Sequence, residues 1–89
     1  MPVRELRIIN EKGLHARASA KFVEVVEGFD ADARVRRDEE DCAGDSIMGL
    51  LMLAASRGTT IEVTTSGPQA DALMQALASL VADRFGEDQ

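Results

Sequence analysis

Gly13-Leu14-His15-Ala16-Arg17-Ala18-Ser19-Ala20-Lys21-Phe22 joins two kinds of periodicity, and the rest of the chain can be read outward from it. Downstream of His15, Ala16, Ser19, Phe22, Val23 and Val26 recur at the spacing that lays one apolar stripe along a helix, from Ala16 to Glu27. Gly28 follows as a candidate left-handed C′ residue. Upstream, Leu6 and Ile8 alternate with Glu5, Arg7 and Ile9, which predicts a strand over Val3 to Ile9 with one buried face. Asn10-Glu11-Lys12-Gly13 turns the chain between them, so a strand hands over to a helix at His15.

Further on, Ala31, Ala33 and Val35 alternate with Asp32, Arg34 and Arg36, and a short strand over Glu40 to Ala43 returns after Asp38-Glu39 as a hairpin. Ser46 has the hydroxyl of an N-cap before a short apolar helix over Ile47 to Ala55. Thr60 to Ser66, with Ile61, Val63 and Thr65 on one face, is the clearest strand, and Gly67-Pro68 ends it. Ala70, Leu73, Leu77, Leu80, Val81 and Phe85 then form the strongest helical stripe, closed by Gly86 and an acidic tail. The order is β-α-β-β-α-β-α. Helices with one apolar stripe and strands with one apolar face imply an α+β, two-layer open-faced sandwich, an antiparallel sheet covered on one side by three helices. Periodicity leaves the strand order open.

An 89-residue chain is expected to form a single domain over residues 1–89. Its net charge of −6 has the wrong sign for gripping a phosphate backbone, and three Phe with no Trp or Tyr leave little for base stacking, so no nucleic-acid partner is expected. The longest apolar run is too short to span a membrane, and the N-terminus lacks the pattern of a signal peptide. The lone Cys42 cannot form an intrachain disulfide, which suits a reducing, cytosolic compartment. One His and one Cys cannot supply the ligands of a typical zinc centre, so no metal and no cofactor are expected.

The one histidine therefore limits the chemistry. A helix N-terminus gathers unpaired backbone N–H groups and the positive end of the dipole, which suits a phosphate on the imidazole and keeps the free ring neutral and nucleophilic. Arg17 adds a forked positive charge. The plain alternative, a capping or surface histidine without chemistry, is the reading that composition alone favours.

The string from Gly13 to Phe22, together with Ser46-Ile47-Met48-Gly49-Leu50, resembles HPr, the histidine-containing phosphocarrier family of the bacterial phosphoenolpyruvate-dependent phosphotransferase system. The likeness runs on through Gly58, Ile61-Glu62-Val63 and Ser66-Gly67. It implies a four-stranded sheet of order 1-4-2-3. It also implies a stoichiometric carrier rather than an enzyme: phosphorylated Enzyme I passes its phosphoryl group to Nδ1 of His15, and His15 passes it to an Enzyme IIA. Arg17 and the amides of Ala16 and Arg17 would surround the phosphate. Ser46 matches the serine phosphorylated in many members by HPr kinase/phosphorylase. Ile47, Met48, Leu51 and Met52, with Ala20, Glu24 and Glu27 on the first helix, would form the docking face. Leu50 and Leu53 are assigned to the core. A monomer best suits a carrier that presents one face to successive partners.

Two departures stand out. Ala18 occupies a position where the family commonly has proline, and Glu24 and Glu27 stand where some sugar-transport members are basic, a pattern closer to proteobacterial forms in regulatory or nitrogen-related relays. A Cys42–His15 hydrolase is disfavoured, because Asp38, Glu39, Glu40, Asp41 and Asp45 would raise the thiol pKa. A regulatory HPr-like binding module that never carries phosphate shares every fold feature, but has no need of His15 with Arg17.

Overall fold

The computed structural model describes residues 1–88. Strands β1 (Val3–Arg7), β2 (Asp32–Arg37), β3 (Glu40–Ala43) and β4 (Thr60–Ser66) alternate with helices α1 (Ala16–Glu27), α2 (Ile47–Met52) and α3 (Ala70–Ala82) in the expected order, and a 3-10 turn, Arg84–Gly86, follows α3. The strands form one sheet of order β1-β4-β2-β3 in which every pairing is antiparallel. β2 and β3 are joined by the Asp38-Glu39 turn, and β4 inserts between β1 and β2, setting Leu6 opposite Ile61 and Val35 opposite Val63.

That register puts one apolar row on one face. Leu6, Ala33, Val35, Ile61 and Val63 are buried, while their neighbours Glu5, Arg7, Arg34, Arg36 and Glu62 are exposed. Against the buried row lie Phe22 of α1, Leu50 of α2, and Leu73 and Leu77 of α3, all fully buried. Each such side chain contributes about 1.5–3 kcal/mol by leaving water. The open face carries charge instead: Arg34 and Asp41 pair across β2 and β3 at 2.7 Å. The hydrogen bond and charge of Arg34 hold the Asp41 carboxyl below its ordinary pKa, but an exposed pair adds little stability. Among the described residues no helix is long and apolar enough to cross a membrane.

The pattern and the structure differ at element ends. β1 stops at Arg7 rather than Ile9. Beyond it Ile8 still exchanges backbone bonds with Gly58 and Thr59, at 2.7 and 2.8 Å, as the chain turns toward the site. α2 stops at Met52, well before Ala55, because Ala54 is left-handed (φ +52°) and swings the Ala55 carbonyl toward Leu14. Gly28 closes α1 in a right-handed conformation (φ −79°), its N–H bonding Glu24 and Val25 carbonyls. Ala16 is exposed, and Ala18 takes its place in the buried stripe. Phe85 is buried but does not lie on α3. Arg84 and Phe85 are both left-handed (φ +54° and +55°), so the chain folds back after Ala82 and drops the ring into the core from outside the helix.

Candidate active site at the start of the first helix

The site begins with a glycine. Gly13 is left-handed (φ +68°), and a Cβ there would lie 2.7 Å from the Ala55 carbonyl oxygen and 2.9 Å from Ser56 Cα. Both obstacles are backbone, so neither yields easily. The next residue, Leu14, is buried and its N–H donates to the same Ala55 carbonyl at 2.8 Å. The loop before His15 is thus pinned to the segment after α2. Gly13→Ala adds left-handed strain to a backbone collision and is expected to cost about 2–4 kcal/mol. A urea midpoint equal to that of the native protein would show the loop to be free to move.

His15 is the N-cap of α1, with extended backbone (φ −81°, ψ −177°), and its Nδ1 accepts from the Arg17 N–H at 3.2 Å. A nitrogen that accepts carries the lone pair, which assigns the proton of the neutral ring to Nε2. Nε2 faces Oε2 of Glu87 at 2.5 Å. The other carboxylate oxygen, Oε1, accepts from Asn10 Nδ2 at 3.1 Å. Asn10 is fully buried and its Nδ2 also donates to the Gly13 carbonyl at 2.8 Å, so it ties the tail to the turn. Its Oδ1 has no partner among the described residues.

Burial works to raise the Glu87 carboxyl. The hydrogen bonds from His15 and Asn10, with the charges of His15 and Lys12, outweigh it and hold the group below its ordinary range. The ring therefore lies between two partners, the amide at the start of α1 on Nδ1 and the Glu87 carboxylate on Nε2. Only the first could be read locally. The His15 side chain remains 26 % exposed. Arg17 is exposed and lines an open cleft of about 440 Å³ with Lys12, Lys21 and Glu87. Lys21 in turn donates to the Phe85 carbonyl at 2.6 Å.

A family model described as "PTS HPr component phosphorylation site" matches residues 3–83 of this chain. The chain belongs to the HPr family. It is 47 % identical to a phosphocarrier protein HPr of Pseudomonas aeruginosa over 90 residues, with all of both chains covered. It is 38 % identical to the phosphocarrier protein NPr of Escherichia coli over 84 residues, covering 93 % of each. A crystal structure of HPr-C-His from Thermoanaerobacter tengcongensis superposes with a TM-score of 0.95 at 31 % identity, covering all of both chains.

Within this HPr chain the second sequence motif lies on α2, which packs beside α1. Ser46 caps it, Oγ accepting from the Gly49 N–H at 3.0 Å. Gly49 permits a close approach to β3, since a Cβ there would lie 2.7 Å from Cys42 Cβ. Ile47, Met48 and Met52 are exposed, the two methionines at 69 % and 71 %, while Leu51 is half-buried and Leu50 and Leu53 are core. On α1, Glu24 and Glu27 are exposed and Ala20 is half-buried. Burial pushes the Cys42 thiol up, with Arg34 working against it, which leaves a poor nucleophile. Asn10, Lys21 and Glu87 were not anticipated from the sequence. The acidic tail after Gly86 was visible there, but its partner lies almost a whole chain away.

Proposed function

We propose that residues 1–89 act as one HPr-like domain that accepts a phosphoryl group on His15 Nδ1 from phosphorylated Enzyme I and hands it to an Enzyme IIA. The observation that carries this reading is the His15 ring, presented at the start of α1 with its Nδ1 lone pair resting on the Arg17 amide. That bond is weak and can be exchanged. When Nδ1 attacks phosphorus, the Arg17 N–H is freed to donate to a phosphate oxygen, together with the Ala16 N–H. The Arg17 guanidinium adds a screened positive charge. A solvent-facing arginine and a helix end stabilise the phosphate only modestly, as a group that must be passed on requires. The protein is consumed and regenerated stoichiometrically and is not a catalyst in the usual sense.

Ile47, Met48, Leu51 and Met52, with Ala20, Glu24 and Glu27, form the docking face for both partners in this reading. Flexible methionines suit a surface that meets more than one. The acidic pair Glu24 and Glu27, with NPr among the relatives, favours a regulatory or nitrogen-related branch over sugar uptake. The deciding experiment is incubation with phosphoenolpyruvate and Enzyme I. The native protein gains an acid-labile, alkali-stable phosphate that is missing from His15→Ala. Labelling of the alanine variant, or none of the native protein, overturns the assignment and favours a binding module.

Ser46 is proposed as a regulatory phosphorylation site for HPr kinase/phosphorylase. A phosphate there sits at the start of α2, where the helix amides tolerate it, while beside Asp45 it adds negative charge to the docking face. Treatment with the kinase and ATP is expected to modify Ser46 and to slow uptake from Enzyme I by about tenfold, equivalent to about 1.4 kcal/mol. Phosphopeptide mapping that finds Ser46 unmodified sinks this proposal without touching His15.

A further inference from the structure

We propose that Glu87 is a positioning residue for His15, holding a proton on Nε2 while a phosphoryl group arrives on and departs from Nδ1. The inference rests on the phosphocarrier reading above and adds a residue to it. Glu87 sits two residues beyond a buried anchor rather than on a loose end. The left-handed pair Arg84 and Phe85 folds the chain back, and Phe85 is fully buried. Lys21 Nζ holds the Phe85 carbonyl at 2.6 Å, and the Glu87 N–H closes on the Arg84 carbonyl at 2.9 Å. The carboxylate then spans Asn10 through Oε1 and His15 through Oε2, at 3.1 and 2.5 Å. Its surroundings carry both signs: Lys12, Arg17 and Lys21 beside Glu11 and Asp88.

The chemistry follows from which nitrogen does what. In the forward step the Nδ1 lone pair forms the N–P bond, the donor's bond to phosphorus breaks, and that electron pair leaves with the donor. The ring, which keeps its Nε2 proton, becomes positively charged. In the return step the N–P bond breaks and its electron pair goes back to Nδ1, giving a neutral imidazole with the proton still on Nε2. Without that proton the leaving group is an imidazolide anion, far poorer. No proton enters or leaves and no co-reactant is needed. The Glu87 carboxylate, 2.5 Å from the far nitrogen, is placed to accept the hydrogen bond of that proton and to lie against the positive charge of the phosphorylated ring. The arrangement parallels the carboxylate that orients a catalytic histidine and stabilises its charge in a hydrolase triad.

The test uses the full chain with Glu87→Gln, which keeps the shape and an accepting oxygen but loses the charge, and Glu87→Ala, which loses both. Single-turnover uptake from phosphorylated Enzyme I and back-transfer to dephosphorylated Enzyme I are measured, alongside the His15 ring Nε2–H resonance by nitrogen-15 NMR. Glu87→Gln is expected to slow both directions about tenfold and to shift the Nε2–H signal upfield, with the backbone amide spectrum otherwise unchanged. Glu87→Ala is expected to slow them at least as much and to lose the signal to exchange with water. A native protein that takes up no phosphate overturns the phosphocarrier reading and this inference with it. A native protein that labels, with a Glu87→Gln variant that transfers equally fast in both directions and keeps the same Nε2–H resonance, overturns this inference alone.

Discussion

His15→Ala is expected to lose phosphoryl uptake from phosphorylated Enzyme I by at least about 10⁴-fold, because no other group can replace its nucleophile. The side chains that line the neighbouring cleft are the basic Lys12, Arg17 and Lys21 and the carboxylates of Glu11, Glu87 and Asp88, and none of them offers a ring nitrogen on which a stable, transferable phosphate could form. The loss must be separated from a loss of fold. His15 is also the N-cap of α1, and removing the acceptor for the Arg17 N–H costs about 1 kcal/mol. His15→Asn answers this, since asparagine is among the best N-caps and has no ring nitrogen. Both variants should remain unlabelled while the asparagine variant melts close to the native protein. Label retained in His15→Asn would place the acceptor elsewhere.

Phe85→Ala is expected to remove about 3–5 kcal/mol of stability. The ring is fully buried and belongs to the core cluster that includes Phe22, Leu73 and Leu77. Deleting it opens a cavity that the flanking strands and helices can only partly fill. Alanine at φ +55° retains the backbone strain and gives up the burial that offset it. For a domain of this size the change corresponds to a fall in Tm of roughly 15–30 °C. The same substitution frees the tail that carries Glu87, so phosphoryl transfer measured well below the new Tm should slow as it does in Glu87→Ala. Phe85→Leu, which keeps most of the volume, should recover most of both. A Tm within about 5 °C of native in Phe85→Ala would mean that the ring is not part of the core.

The motif proposed to carry the chemistry was legible because its spacing is local. Gly13, His15 and Arg17 lie within one turn of chain, and a left-handed glycine, an N-cap and a helix amide are all short-range devices. Ser46 was legible for the same reason, as a hydroxyl one turn before the amide it caps. The burial of Leu50 and Leu53 and the exposure of Ile47 and Met48 followed from too many apolar residues on and beside too short a helix. Phe85 shows the limit. It fell in phase with the α3 stripe, yet it reaches the core only because two successive residues turn left-handed, and period counting cannot see a reversal that keeps the phase.

Residue order alone determined the element sequence, most of the buried face of each element, the Ser46 cap, and the placing of the one histidine at a helix start. These depend on alternation, stripe and capping, which act over a few residues. Tertiary structure decided that β4 lies between β1 and β2, and that the acidic tail returns to the first helix. Both join segments far apart in the chain, and the energy that selects them comes from burying faces against one another, a quantity no local pattern contains. The single histidine looked like a nucleophile with one partner, its helix. Folding brought Glu87 to its other nitrogen and placed it between two partners.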